Sequence, residues 1–233
     1  MQCVILAAGK GSRMRGLNGD VPKPLLSVGG KTLLQQKLDI LPDDVDEVII
    51  VVGYLGQKIR EALGDSYRGK RLQYVEQDVL DGTAGALWRA KGMLKGSFFV
   101  MMGDDIYAPE DLEACRAHEW AHLVSRVENT DGVGKVLLNE SGAIEDIVES
   151  GGHEGGAGIA GTNMFFLDTR IFDFPLVRKA PNSDEYGLPQ TIIAASKHSG
   201  IPLRPVTATF WSAVNTPEDL VRAEEMLADR SSA

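Results

Sequence analysis

Near its beginning the chain reads Val4-Ile5-Leu6-Ala7-Ala8-Gly9-Lys10-Gly11-Ser12-Arg13-Met14, and ten positions after Arg13 stands Lys23, within Pro22-Lys23-Pro24-Leu25-Leu26. Gly9 and Gly11 carry no Cβ, so the main chain there can approach a ligand closely and turn successive N–H groups toward an anion. Arg13 adds a forked, permanently charged guanidinium and Lys23 a compact ammonium, which together suit polyphosphate oxygens. The pattern predicts a phosphate site. Two commoner phosphate loops do not fit. A P-loop would place its first glycine at Val4 and a hydroxyl where Gly11 stands, and a dinucleotide fingerprint would need a third glycine at Met14. On the glycines alone, an ordinary turn with solvated basic residues is an equal reading.

Two further clusters carry chemistry. Glu76-Gln77-Asp78-Val79-Leu80-Asp81-Gly82-Thr83-Ala84-Gly85 puts small residues at a helix entrance, where N–H donors face an anion, and gives Gln77 both a donor and an acceptor. A helix capped by Thr83 accounts for the same residues. Met101-Met102-Gly103-Asp104-Asp105 places carboxylates after an apolar run, and Mg²⁺ prefers such hard oxygens. An Asp pair opening the turn before a helix at Pro109 also explains it.

The elements that position these clusters follow from periodicity. Apolar runs at Val4–Ala8, Asp46–Gly53, Leu72–Val75 and Phe98–Met102 read as buried parallel strands. Between them, residues 31–41, 57–63 and 83–94 carry helical patterns, the second closed by Gly64. This alternation is that of a doubly wound sheet, whose ligands bind at the carboxyl ends of the strands. All three clusters stand at such ends. After Ala121 shorter strands are expected at 123–127, 135–138, 144–149 and 159–167, then a helix through Lys197, a strand to Trp211 and a last helix opened by Thr216-Pro217-Glu218, with Thr216 or Asn215 as its cap.

The segment from Leu6 to Met14 together with Pro22-Lys23-Pro24-Leu25-Leu26 resembles the signature of the sugar-1-phosphate nucleotidylyltransferases, and the Gln77 and Gly82-Thr83 segment matches the same family a second time. The resemblance implies a single domain over residues 1–233, an α/β Rossmann-like fold with a mixed, mostly parallel sheet flanked by helices, of the nucleotide-diphospho-sugar transferase type. Its nucleotide-binding half would cover about 1–120 and its acceptor-binding half about 121–233. It implies that Leu6, Ala7, Ala8, Gly9, Gly11 and Ser12 hold the nucleotide, that Arg13 and Lys23 stabilise charge at the α-phosphate, that Gln77 reads the base edge, and that Gly82 and Thr83 pack on the nucleoside. Asp104 is implied as the primary Mg²⁺ ligand.

The acceptor half departs from the family. Gly134 and Glu149 align with positions that contact the sugar, with Gly161 and Asn163 beyond them. The family often has Glu-Lys-Pro where this chain has Glu149-Ser150-Gly151, so a lysine for the acceptor phosphate is missing. Where many members carry a second metal aspartate, this chain has Ala213; Asn215 lies where the related N-acetylglucosamine-1-phosphate uridylyltransferases use an asparagine, and it is taken as the second metal ligand.

Composition sets the remaining expectations. The net charge of −9 argues against a nucleic-acid or membrane-surface partner. Residues 1–37 nevertheless hold six basic groups (Lys10, Arg13, Arg15, Lys23, Lys31 and Lys37) against Asp20 alone, a local excess of five that leaves −14 elsewhere. Positive charge concentrated in this way suits two anionic substrates. Cys3 and Cys115 form no disulfide framework, and no stretch approaches the roughly 20 apolar residues of a membrane span, so a cytoplasmic protein is expected, with a homo-oligomer left open. No role falls to His118, His122, His153 or His198. The reaction expected is Mg²⁺-dependent joining of a nucleoside triphosphate, UTP or dTTP favoured, to a sugar 1-phosphate with release of pyrophosphate. A cytidylyltransferase for phosphocholine or a similar small phosphate, and a non-catalytic nucleotide-sugar sensor, are the alternatives.

Overall fold

The computed structural model describes residues 1–11, 14, 21–149 and 151–232. Strand β1 (Gln2–Ala7) is buried along its whole length, and its side chains alternate: Val4 and Leu6 enter the core on one face of the sheet, Cys3, Ile5 and Ala7 that on the other. Burial on both faces is why the run reads as continuously apolar. A hairpin of β2 (Ser27–Val28) and β3 (Lys31–Thr32) leads into α1 (Leu33–Ile40). That helix starts from a capping box, in which the Thr32 hydroxyl accepts from the Gln35 N–H and the Gln35 side chain accepts from the Thr32 N–H. Strand β4 (Glu47–Val52), α2 (Gly56–Leu63), β5 (Ser66–Tyr67) and β6 (Lys70–Glu76) follow.

Helix α3 (Thr83–Arg89) is shorter than its apolar pattern predicts, giving way to a 3-10 turn over Lys91–Met93 that contains Gly92. Strand β7 (Ser97–Met102) then leads to a strand that sequence pattern did not separate from a turn, β8 (Asp105–Tyr107). After α4 (Pro109–Arg116) come β9 (Trp120–Val127), β10 (Lys135–Leu138), β11 (Ile144–Val148), the long β12 (Gly158–Asp168), α5 (Leu188–Ser199), β13 (Leu203–Thr207), β14 (Trp211–Ala213) and α6 (Pro217–Ser232).

The main sheet is mixed, with ten strands in the order β11-β10-β12-β7-β1-β4-β6-β5, while β9 pairs with β12 and β13 with β9. Strands β6, β4, β1 and β7 are parallel, so their carboxyl ends lie side by side. Beyond β7 the direction reverses at β12. Helices α3 and α5 cover one face; α1, α2 and α4 cover the other, where the free thiols of Cys3 and Cys115 are buried. A two-stranded ribbon of β8 and β14 stands apart from the sheet, with Asp105 opposite Ala213, and packs on α6 through Ile106, Val214 and Ala223. Among the described residues no helix is long and apolar enough to cross a membrane.

Candidate active site

A cavity of about 610 Å³ opens where the parallel strands end. Leu6, Ala7 and Ala8, the loop Gly9-Lys10-Gly11, and Lys23 line it from the end of β1; Gln77, Gly82 and Thr83 line it from the β6–α3 connection, and Gly103 and Asp104 from the end of β7. Gly134, Ile147, Glu149, Gly161 and Asn163 form its other side. Residues placed in separate nucleotide and acceptor groups by sequence thus face one space. Its volume lies within the usual range of small-molecule sites. Ser12 and Arg13, expected at the triphosphate, lie outside the described residues, as do Arg15, Asp20 and Ser150.

Lys23 is the centre of the polar groups. Its Nζ donates to Asp104 Oδ2 at 2.6 Å and to Asn215 Oδ1 at 3.2 Å, and the side chain is only 8% exposed. The ribbon makes this meeting feasible, because Val214 N donates to the Asp104 carbonyl at 3.2 Å and so ties the segment before Asn215 to the end of β7. The Asp219 N–H reaches Thr216 Oγ1, and the Asp219 carboxylate accepts from the N–H groups of Asn215 and Thr216, so the cap belongs to Thr216 and Asp219. Two hard oxygens from distant parts of the chain therefore converge on the Lys23 ammonium. This donor set fits Mg²⁺, which commonly takes one or two protein oxygens and fills its shell with water and phosphate. Among the described residues there is no cluster of three or more His, Cys, Asp or Glu groups that could hold a metal.

Adjacent carboxylates have opposite fates. Asp104 faces the cavity, whereas Asp105, one step along the chain, turns inward and meets the Tyr107 hydroxyl at 3.2 Å. Burial, with the Asp104 charge beside it, pushes the Asp105 carboxyl up to about 7, against the pull of Lys37 and Lys23. Lys37, entirely buried on α1, donates to the Leu33 carbonyl at 3.1 Å. Burial lowers it to about 8, opposed by Asp105 and Asp104. A buried layer of charge lies behind the one that faces the cavity.

The walls are set by close approaches. A Cβ on Gly11, at φ 58°, would lie 3.1 Å from the Lys23 Cβ, so the glycine lets that side chain pass beneath the loop. Gly82, at φ 98°, faces the Tyr186 carbonyl so closely that any Cβ would collide with it. Ala84 N donates to that carbonyl at 3.1 Å and Tyr186 N to the Asp81 carbonyl at 2.7 Å. Gly82, rather than Thr83, is the N-cap of α3; the Thr83 hydroxyl instead accepts from Leu188 N at 3.0 Å, clasping α3 to the start of α5. Gln77 spends both amide hydrogens on Asp81 Oδ1 and the Gly82 carbonyl, which leaves its oxygen as the group able to read a base edge.

On the other side of the cavity Glu149 is held by Gln190, whose Nε2 donates to Oε1 at 2.9 Å. Asn163 takes a left-handed φ of 56° at a register shift in β12, pinned by the Thr162 hydroxyl donating to the Leu123 carbonyl at 2.7 Å. Sequence reasoning missed Lys179, Glu185, Tyr186, Gly187 and Pro189, which also line the cavity. These residues belong to the contiguous run Asp184-Glu185-Tyr186-Gly187-Leu188-Pro189 or lie shortly before it, but the docking of Tyr186 on Gly82 is a contact across about a hundred residues.

The cavity at the ends of the parallel strands, lined by Lys23 and Asp104 on one side and by Glu149 and Asn163 on the other, is where an α/β protein of this kind binds its ligands. The nucleotidyl transferase family matches residues 2–230, and the chain belongs to it. Over 240 residues it is 29% identical to the UTP–glucose-1-phosphate uridylyltransferase AglF of Haloferax volcanii, covering 99% of this chain and 98% of that protein. It is 29% identical over 233 residues to the bifunctional protein GlmU of Methanocaldococcus jannaschii, covering 99% of this chain but 55% of that one, so it spans about half that relative's length. The inositol-1-phosphate CTP transferase from T. maritima superposes with a TM-score of 0.76 at 22% identity, covering 97% of this chain and 94% of the other, a likeness of fold.

Proposed function

We propose that this protein joins a nucleoside triphosphate, UTP or dTTP favoured, to a sugar 1-phosphate, giving a nucleotide sugar and pyrophosphate with the help of Mg²⁺. The observation that carries the reading is the meeting of Lys23 with Asp104 and Asn215 beside a cavity that Lys23 and Asp104 line and whose other side is lined by Glu149, Gly161 and Asn163. An oxygen of the acceptor phosphate attacks the α-phosphorus; the new P–O bond forms as the bond to the α,β-bridging oxygen breaks, and that oxygen leaves with the pyrophosphate. Such transfers need alignment and charge neutralisation more than a side-chain nucleophile. Asp104 and Asn215 would hold Mg²⁺, which supplies Lewis-acid neutralisation of phosphate oxygens. Lys23 would present its ammonium to phosphate oxygens beside that position, the Gly9–Gly11 loop approaches the triphosphate, and Gln77 reads the base through its oxygen. Arg13 is proposed to join Lys23 at the α-phosphate.

The test is pyrophosphate release with Mg²⁺, crossing the common nucleoside triphosphates with a panel of sugar 1-phosphates and phosphocholine. The expected result is turnover with UTP or dTTP and one sugar 1-phosphate, lost in Asp104→Ala and in Arg13→Ala. Turnover confined to CTP and phosphocholine would overturn the sugar assignment, and nucleotide binding without turnover of any pair would overturn the reaction.

A further inference from the structure

We infer that Asp81 is a specificity-determining residue: by pinning the Gln77 side chain it makes the base reader an acceptor only, which takes the imide N–H of uracil or thymine and refuses cytosine. The inference rests on the transferase reading and its preference for UTP or dTTP. Gln77 is held in both its main chain and its side chain. Its N–H donates to the Val52 carbonyl at 2.8 Å, at the end of β4, and the residue is only 5% exposed. Its Nε2 donates to Asp81 Oδ1 at 2.8 Å and to the Gly82 carbonyl at 3.0 Å. An amide has nearly the same shape either way round, so its partners have to fix which end is left for a ligand. Turned over, Oε1 would meet a carboxylate oxygen and a carbonyl with no hydrogen between them. The side chain therefore has a single satisfied orientation, with its oxygen left over in a residue that lines the cavity.

The pin is itself held. Asp81 N donates to the Val79 carbonyl at 2.9 Å, and the Asp81 carbonyl accepts from Tyr186 N at 2.7 Å. The carboxylate folds back over the first turn of α3, into room left by Gly85, where any Cβ would collide with it. Its second oxygen, Oδ2, lies 3.7 Å from Arg89 Nη2, whose closer partner is Asp78 at 3.0 Å. Of the two groups that hold the Gln77 amide, the carboxylate is the stronger, because its hydrogen bond is charge-assisted. The consequence falls on the base. Uracil and thymine carry a hydrogen on ring N3; cytosine has a bare lone pair there, and only its exocyclic amino group could donate, from a shifted base. A pinned oxygen accepts from the first two and repels the third, whereas a glutamine able to turn would serve all of them.

The experiment is calorimetric titration of the full chain with Mg²⁺ and two matched pairs, UTP with CTP and dTTP with dCTP, for wild type, Asp81→Asn, Gln77→Met and the double variant. Asp81→Asn keeps the side chain's shape, but its amide can accept from Gln77 or donate to it, so both orientations become satisfiable. In whichever pair binds more tightly, the wild-type protein should favour uracil or thymine over cytosine by about tenfold to a hundredfold, and Asp81→Asn should reduce this ratio to about threefold or less. Gln77→Met should lose the preference as well, and adding Asp81→Asn to it should leave the ratio unchanged, since the effect passes through Gln77. The ratio separates this role from a merely structural one, which would weaken both members of a pair alike. A ratio that survives in Asp81→Asn, or that changes further in the double variant, overturns the inference alone. Wild-type protein that binds the cytosine nucleotides as tightly as the others overturns the UTP or dTTP preference and this inference with it, and binding of no nucleotide overturns the transferase reading itself.

Discussion

Lys23 joins three parts of the chain through one ammonium, and its compactness matters, since two oxygens at 2.6 and 3.2 Å share it. Lys23→Met should lower kcat by about 10²–10³-fold with the fold intact by circular dichroism, the scale typical of losing one preorganised charge-stabilising donor. Lys23→Arg should not restore it, because a planar fork cannot occupy the place of a point charge. His122 illustrates the opposite case, a titratable group outside the chemistry. It is fully buried, stacked on Phe165 with ring centroids 4.1 Å apart, and neither ring nitrogen has a hydrogen-bond partner. Burial lowers its pKa from 6.5 to about 3. Between those values the unfolded chain binds the proton that the folded chain refuses, so stability falls as pH drops below 6.5, by about 2 kcal/mol at pH 5. His122→Phe should flatten the decline in urea midpoint between pH 7 and pH 5, and an unchanged slope would refute this assignment. None of this was legible in sequence, because a lone histidine in an apolar strand shows neither its neighbours nor its missing partners. The Asp104 and Asp105 division was legible only in part: the place after a strand end marked Asp104 as the candidate, but the pattern did not show that Asp105 begins a strand.

At the scale of elements, two connections assemble the site. The β8–β14 ribbon brings the end of β7 to Asn215, and the contact of Gly82 with Tyr186 brings α5 and its preceding loop to α3. Strands β1, β4 and β7 were readable because burial on both faces leaves an uninterrupted apolar run, whereas β6, partly exposed, showed only Leu72–Val75. The ribbon strands were not, since three residues carry no period and their partner lies more than a hundred positions away. Gly82→Ala tests the second connection. A Cβ there meets the Tyr186 carbonyl, and φ 98° is strained for alanine, so a loss of about 2 kcal/mol in stability and a raised KM for nucleotide are expected. A chemical-denaturation midpoint equal to wild type would show that the loop can retreat at no cost. Thr83→Val should weaken the same clasp by about 1 kcal/mol, because Leu188 N loses its acceptor.

At the scale of the molecule, the parallel block of the sheet supplies the Gly9–Gly11 loop and Asp104, and the reversed strands beyond β7 supply a second wall of the same cavity. The motif residues of the nucleotide side were readable because they are contiguous in sequence and sit at strand ends. The other wall is assembled from residues in or beside β10, β11 and β12 and a loop before α5, which is why single residues such as Gly134 and Glu149 could be anticipated while Lys179 could not. The central claim is that this cavity joins its two ligands directly. It is tested by ³¹P NMR of the wild-type protein with Mg²⁺, UTP or dTTP, and the accepted sugar 1-phosphate, the acceptor phosphate carrying ¹⁸O. Pyrophosphate and a nucleotide sugar should appear in equal amounts, with ¹⁸O retained in the bridge between the two phosphorus atoms and neither product formed by Asp104→Ala. Release of nucleoside monophosphate without a joined product, or a bridge lacking the label, would contradict the account.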